Sequence, residues 1–353
     1  MVRALMLIIA ACAVLGGVDR LLGNRLGLGK PFEQAFVMLG PLALSMAGMI
    51  VLAPAAANAL SAVITPFYHL LGQDPGMFGS FLAIDMGGWQ LASALCDEAA
   101  VGRFAGILVA ATFGCTVSFT IPAGMGILSP EDRDGFARGM MDGLIAMPAA
   151  LWVGAMLCGI PCLRALWLCV PLALLSGLIA LALRRCPALA DRAFRGLAAL
   201  LKGIATVGLV LGAVRMIADI ELIPGLTPLE DAMAVVVSIC VMLLGSLPLA
   251  ELLQRFLARP FSLLGERLGI GAEGMLGMLI FYLNVTPGLA SLHGMNARAR
   301  RCCAAFSVCA ASALTAHLAF TVSAAPELAM PLLAVKLLGG VLGAALSLCR
   351  RDS

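Results

Sequence analysis

Charge is scarce in this sequence. Of its 353 residues only 12% are Asp, Glu, Lys or Arg, while 61% are hydrophobic; soluble globular domains carry about a quarter charged residues. With a mean hydropathy of +1.03, the chain has too little polar side chain to cover a water-facing surface, so its main solvent is lipid. The expected fold class is an all-α polytopic membrane protein. Histidine is rarer still: His69, His293 and His317 lie far apart. Cysteine is not lacking, but most of the twelve, among them Cys115, Cys158, Cys169, Cys240, Cys302, Cys303 and Cys309, sit in apolar runs, where a thiol acts as a small hydrophobe. The C-x3-C of Cys158 and Cys162 is not a zinc spacing, and zinc wants clustered ligands; neither metal nor cofactor is expected. No nucleophile–base pairing, glycine-rich phosphate loop or Walker A sequence is present, so no catalytic residue is assigned and enzymes are set aside. The net charge of +3 suggests no acidic partner, and no basic patch with interleaved aromatics points to nucleic acid.

What is abundant is long apolar sequence. A bilayer-spanning helix needs about 20 mostly apolar residues. Such runs occupy 3–22, 33–53, 102–127, 138–160, 163–184, 195–218, 231–247, 300–323 and 327–349. The first contains a lipoprotein-like "IAAC" ending at Cys12, yet its apolar stretch continues to Val18 and reads as a membrane helix rather than a signal peptide. Regions 54–93 and 248–292 are apolar but interrupted, each expected to hold a short helix and then a segment broken near its middle. Basic residues flank spans on the cytoplasmic side. The cluster Arg184, Arg185, Arg192, Arg195 and Lys202, with Arg298, Arg300, Arg301, Arg350 and Arg351, fixes one path on which the C-terminus is cytoplasmic; Arg103 and Arg164 fall on the outer side.

The sequence also repeats. "LGGV" at 15–18 recurs as "LGAV" at 211–214, Pro54 as Pro248, "PF" at 66–67 as "PF" at 260–261, and "LLG" at 70–72 as "LLG" at 263–265. These matches keep their order at an offset of about 195 residues. On the path above the copies run in opposite directions. Residues 1–190, including a linking helix near 163–184, form one repeat, and 191–353 form a second, inverted one. Inverted repeats with a discontinuous helix in each half are the architecture of many secondary transporters, whose substrate site lies near the midplane between repeats.

The segment "FLAIDMGGWQLA" at 81–92 carries the sharpest signal. An Asp at the centre of a membrane helix costs about 2.5–3.5 kcal/mol on insertion scales and usually faces a cavity or partner. Asp85, followed by the helix-weakening Gly87 and Gly88, is therefore expected at a break that faces a polar pocket. Trp89 would offer its ring to an ammonium group. In the other half Asn284, Pro287 and Gly288 mark the matching break, with Asn284 able to donate and accept. His317 in "ALTAHLAF" and Glu33 in "PFEQAF" complete the candidate substrate-binding set. Each has a plainer reading. Asp85 would form a structural ion pair with Arg215 or Lys336, Asn284 would cap a helix, His317 would be a core histidine, Trp89 would be packing, and Glu33 would pair with Lys30 or assist a helix start. Gly208 and Gly212, Gly139 and Gly143, and Gly339 and Gly343 are spaced for close helix approach. The resulting expectation is a carrier of a small cation, dissolved in membrane lipid; a membrane receptor or scaffold for cytoplasmic enzymes is the non-transport alternative, disfavoured by short cytoplasmic loops.

Seven stretches, "GGVDRLL", "FEQAF", "IDMGGW", "IPAGMGILSPEDR", "ELIPGL", "AHLAF" and "VKLLGG", resemble in that order the ethanolamine utilisation permease family of the EutH type. The resemblance implies a bacterial inner-membrane protein that imports ethanolamine for breakdown by other enzymes. It carries over no firmly assigned binding residue. The chain departs from the family pattern at Val285, where relatives have a second asparagine, at Ala316, where relatives have an acid, and in shorter stretches near 160–164 and after "ELIPGL". A carrier for another small amine, a nucleobase or an amino acid is the alternative within transport.

Overall fold

The computed structural model describes residues 2–81 and 88–350, and no strand occurs among them. In chain order the helices are α1 (Val2–Leu21), α2 (Gly29–Leu70), α3 (Gly88–Leu95), α4 (Ala99–Ile127), α5 (Pro130–Leu157), α6 (Cys162–Arg185), α7 (Pro187–Ala218), α8 (Leu229–Leu268), α9 (Gly271–Leu283), α10 (Val285–Ser291), α11 (Ala297–Ala310), α12 (Ala316–Ala324) and α13 (Pro326–Cys349). Among the described residues eight of these, α1, α2, α4 to α8 and α13, are long and apolar enough to cross a membrane.

Two expectations about span boundaries change. Residues 54–70 and 248–268 are not separate short helices; they continue α2 and α8, of 42 and 40 residues. Pro54 and Pro66 lie inside α2, and Pro248 and Pro260 inside α8. A membrane helix tolerates proline when neighbouring groups take up the freed backbone; separately, α2 carries a π turn at Ala43–Ala47. The expected span at 300–323 is instead divided into α11 and α12 by the non-helical residues 311–315. The helix α4 is π-wound over Phe104–Gly114 and Thr116–Thr120, far longer than the single-turn π bulges usually seen.

The chain forms two compact units. Unit 1 comprises Met1–Ala110, Ala199–Leu253 and Thr315–Met330; unit 2 comprises Ala111–Ala198, Gln254–Leu314 and Pro331–Ser353. Each draws on both sequence halves.

In unit 1, α2 and α7 cross backbone to backbone. A Cβ on Gly48 would collide with the carbonyl of Ala205, and one on Gly208 with the carbonyl of Gly48. Close approach of this kind replaces the hydrophobic drive that lipid removes. The α1–α2 turn is built on Asp19, 1% exposed, whose carboxylate accepts from the backbone N–H of Leu26, Leu28 and Gly29 at 2.7, 2.7 and 3.0 Å. It thereby satisfies donors at the start of α2 that no helical carbonyl can reach.

In unit 2, α6 shows how lipid shapes a helix. Leu163, Leu166, Trp167, Leu174, Leu178 and Leu181 form an exposed apolar stripe, while Ala165, Leu168, Cys169, Leu172, Ser176 and Ala180 form the buried one, packed on α5. Both faces are apolar, as in a helix with lipid on one side and protein on the other. α5 packs in turn on α11. There Gly139 and Gly143 face the carbonyls of Arg301 and Ala305, as their spacing predicts. Under this contact Asp142, 0% exposed, accepts from Arg301 Nε and Arg350 Nη1, both at 2.8 Å.

Candidate functional site

The expected break at Asn284 is present. Asn284 leaves the helical region, with φ −154° and ψ 130°, and separates α9 from α10. Its side-chain oxygen accepts from the Thr286 N–H at 3.1 Å, which is the N-cap geometry that asparagine favours. Pro287 follows in the first turn of α10, where its missing N–H would have had no helical acceptor. A Cβ on Gly288 would collide with the Phe281 ring, so this glycine lets α10 fold back against α9.

A break in a membrane helix exposes backbone groups that lipid cannot satisfy. Here a second break supplies the partners. Ser312 donates its N–H to the Phe281 carbonyl at 2.9 Å, and Leu314 donates to the Tyr282 carbonyl at 3.2 Å. In return the Ser312 hydroxyl accepts from the Val285 N–H at 3.0 Å. The non-helical residues 311–314 therefore run alongside the Asn284 break within unit 2. Ser312 pays for this with a left-handed φ of +54°, a region that side chains other than glycine seldom enter. Nearby, Lys336 of α13, 1% exposed, donates from Nζ to the carbonyls of Ala111 (2.7 Å), Ala311 (2.9 Å) and Cys309 (3.0 Å).

Ser312→Ala is expected to lower stability by about 1–2 kcal/mol, because the buried Val285 N–H loses its acceptor. Ser312→Gly keeps the same loss but relieves the left-handed strain, so it should melt above Ser312→Ala. Thermal unfolding of the purified variants in detergent reads the order.

The remaining candidates fall as follows. Asp85 and Gly87 lie outside the described residues. Gly88 opens α3 and, with Leu91, Met49, Leu52, Ala56 and Ile204, lines an apolar cavity of about 330 Å³ in unit 1. Trp89 packs on α4, where its backbone and ring lie against Gly106. His317, in α12, is buried in unit 1 at 1% exposure. Glu33 pairs with Arg20 Nε at 2.6 Å, both side chains being about half exposed; its partner is Arg20 rather than Lys30. Arg215 donates to the Leu226 carbonyl at 2.8 Å and lies 3.5 Å from Glu221, so it ties down the "ELIPGL" loop. The sequence reading passed over Gln90, whose Oε1 is buried without a hydrogen-bond partner; a lone amide beside Trp89 in an apolar run was the available signal.

A second, larger cavity of about 920 Å³ lies in unit 2. Arg133, Arg138, Arg184, Arg301 and Arg350 line it against Asp134, Asp142 and Asp191. Its excess of arginine does not suit a cationic ligand. Among the described residues no group of three or more His, Cys, Asp or Glu side chains is placed to hold a metal ion.

Residues 1–349 match the family model described as "Ethanolamine utilisation protein, EutH". The chain belongs to the EutH family. It is 34% identical to "Probable ethanolamine permease EutH" of Listeria monocytogenes over 95% of this chain and 90% of that protein. It is 33% identical to the "Probable ethanolamine permease EutH" of Salmonella typhimurium over 96% and 90%, and 34% identical to "Uncharacterized protein YxeR" of Bacillus subtilis over 97% and 93%. No solved structure matches the chain. Family membership and the eight apolar helices make this EutH-family chain a multi-pass membrane transport protein and not an enzyme.

Proposed function

We propose that this chain imports ethanolamine across the bacterial inner membrane, as the protonated amine, to supply enzymes that break it down. The observation that carries this reading is the family match over residues 1–349, with relatives named as ethanolamine permeases. Physical chemistry points the same way. A primary amine with a pKa near that of lysine, roughly 10, is mostly a cation at neutral pH, and the cation needs a protein path where the neutral fraction does not.

In this reading Asp85 is the candidate to pair with the ammonium, and Asn284 is a candidate donor to the hydroxyl. Asn284 suits that task because its oxygen is engaged as the cap while its amide N–H groups remain as donors. The reading also takes the two sequence halves as inverted repeats with the C-terminus cytoplasmic. The order of helix lengths supports the repeat: α1 then the 42-residue α2 in the first half, α7 then the 40-residue α8 in the second, each followed by short, interrupted helices.

The test is uptake of labelled ethanolamine by proteoliposomes holding the full chain at acidic pH. Wild-type vesicles should accumulate label above empty ones. Asp85→Asn should reduce the initial rate by about tenfold or more, the loss of roughly one ionic contact in the transport barrier. Wild-type rates in that variant would remove Asp85 from the site, and stronger competition by another amine, a nucleobase or an amino acid would reassign the substrate.

A further inference from the structure

Lys336 is an unusual residue to find inside a span. It sits in α13 at 1% exposure, too deep for its chain to carry the ammonium out to an interface as long basic side chains do near helix ends. Instead the ammonium meets three backbone carbonyls from two other segments. Cys309 and Ala311 lie at the C-terminal end of α11, and Ala111 lies in the π-wound part of α4. The last carbonyls of a helix have no N–H of their own to accept from, and they carry the negative end of the helix dipole. An ammonium has three donors and no acceptor. Among the described residues these three oxygens accept from it at 2.7–3.0 Å.

Unwound carbonyls and half-helix C-terminal ends are the groups with which discontinuous helices of carriers hold a coupling cation. In this chain the same kind of cradle, at the end of α11 where the backbone leaves the helix for residues 311–315, is filled by a side chain. We propose that the Lys336 ammonium is a tethered cation that takes the place of an exchangeable metal cation at this break, and that the transport step consequently needs no sodium. The second part rests on the transport reading; the first does not.

The positional logic is specific. Lys336 holds Ala311, and the adjacent Ser312 holds Phe281 and Val285 across the Asn284 break. A cation at this point fixes both interruptions at once. Removing it leaves three carbonyls converging on a space shaped for a small cation, and a free ion should then be able to enter.

Two measurements on the purified full chain test the proposal. The first needs no variant: ethanolamine uptake by wild-type proteoliposomes should change by less than about twofold when all sodium is replaced by N-methylglucamine, a difference too small to reflect loss of a coupling ion. A tenfold fall would overturn it. The second uses Lys336→Ala and Lys336→Met in detergent. Both should melt below wild type, and sodium or methylammonium should raise the melting temperature of Lys336→Ala saturably while leaving wild type unmoved at matched ionic strength. Variants that melt like wild type, or a Lys336→Ala protein indifferent to both cations, would overturn the tethered-cation assignment. Should neither variant fold, the sodium replacement alone decides. If wild-type vesicles take up no ethanolamine, the transport reading fails, and the melting experiment still judges the cradle.

Discussion

Replacing Asp142 by alanine is expected to destabilise unit 2 by about 3–5 kcal/mol, the usual effect of stripping one partner from a buried charge cluster. Asp142 is fully buried, and both oxygens are engaged, one by Arg301 and one by Arg350. Arg301 is itself 8% exposed, so its guanidinium would lose the carboxylate that compensates its burial. Asp142→Asn should be intermediate, since the amide keeps one acceptor but offers no charge to two guanidinium groups. Glu33→Gln provides the control: its pair with Arg20 is about half exposed, and surface pairs contribute about 0–1 kcal/mol. Thermal unfolding in one detergent reads all three. A melting temperature for Asp142→Ala indistinguishable from that of Glu33→Gln would mean that the cluster is not holding α5, α11 and the end of α13 together.

The second large effect is expected at Gly48. Its missing side chain allows α2 to meet α7 backbone against backbone, and an added methyl would run into Ala205 and Leu209 main-chain atoms. Neither helix can relieve that contact by turning a side chain. Gly48→Ala should destabilise by about 1–3 kcal/mol, the range of overpacking in a filled core, even though alanine favours helix by about 1 kcal/mol over glycine. Gly203 lies in the same helix α7 with open space at its Cβ position, so Gly203→Ala gains the helical preference without the collision. The two substitutions should therefore move the melting temperature in opposite directions. A shared sign would mean that the α2–α7 crossing relaxes at little cost.

Much of the fold was legible because lipid imposes a blunt rule. Apolar runs of sufficient length became helices, and the paired small residues Gly139 and Gly143 mark real backbone contacts. The break at Asn284 was legible too, since an N-cap residue and a proline three positions on are local signals. The break at 311–315 was not. "AASALTAH" contains neither glycine nor proline, and its conformation is set by Phe281, Val285 and Lys336, which are distant in sequence. The expected span ends at 53 and 247 were misplaced for another reason: Pro54, Pro66, Pro248 and Pro260 lie inside α2 and α8, and the helices run through them. The carbonyls that Lys336 holds were not legible either, because a sequence does not display which carbonyls a broken helix will leave open. Asp19 was visible inside "GGVDRLL", yet nothing local showed that three amides would converge on it.

The make-up of the two units bears on how the molecule is made. The polypeptide passes from one unit to the other at 110/111, 198/199, 253/254, 314/315 and 330/331. Domains that are contiguous can close behind the ribosome as they emerge, N-terminal part first. Neither unit here has that option: one waits for residues 315–330 and the other for 331–353. Neighbouring helices such as α5 and α6 can pack as they emerge, but neither unit is complete before these segments are inserted, and Lys336 and Arg350, two of the groups that fasten unit 2, join it after the helices they hold.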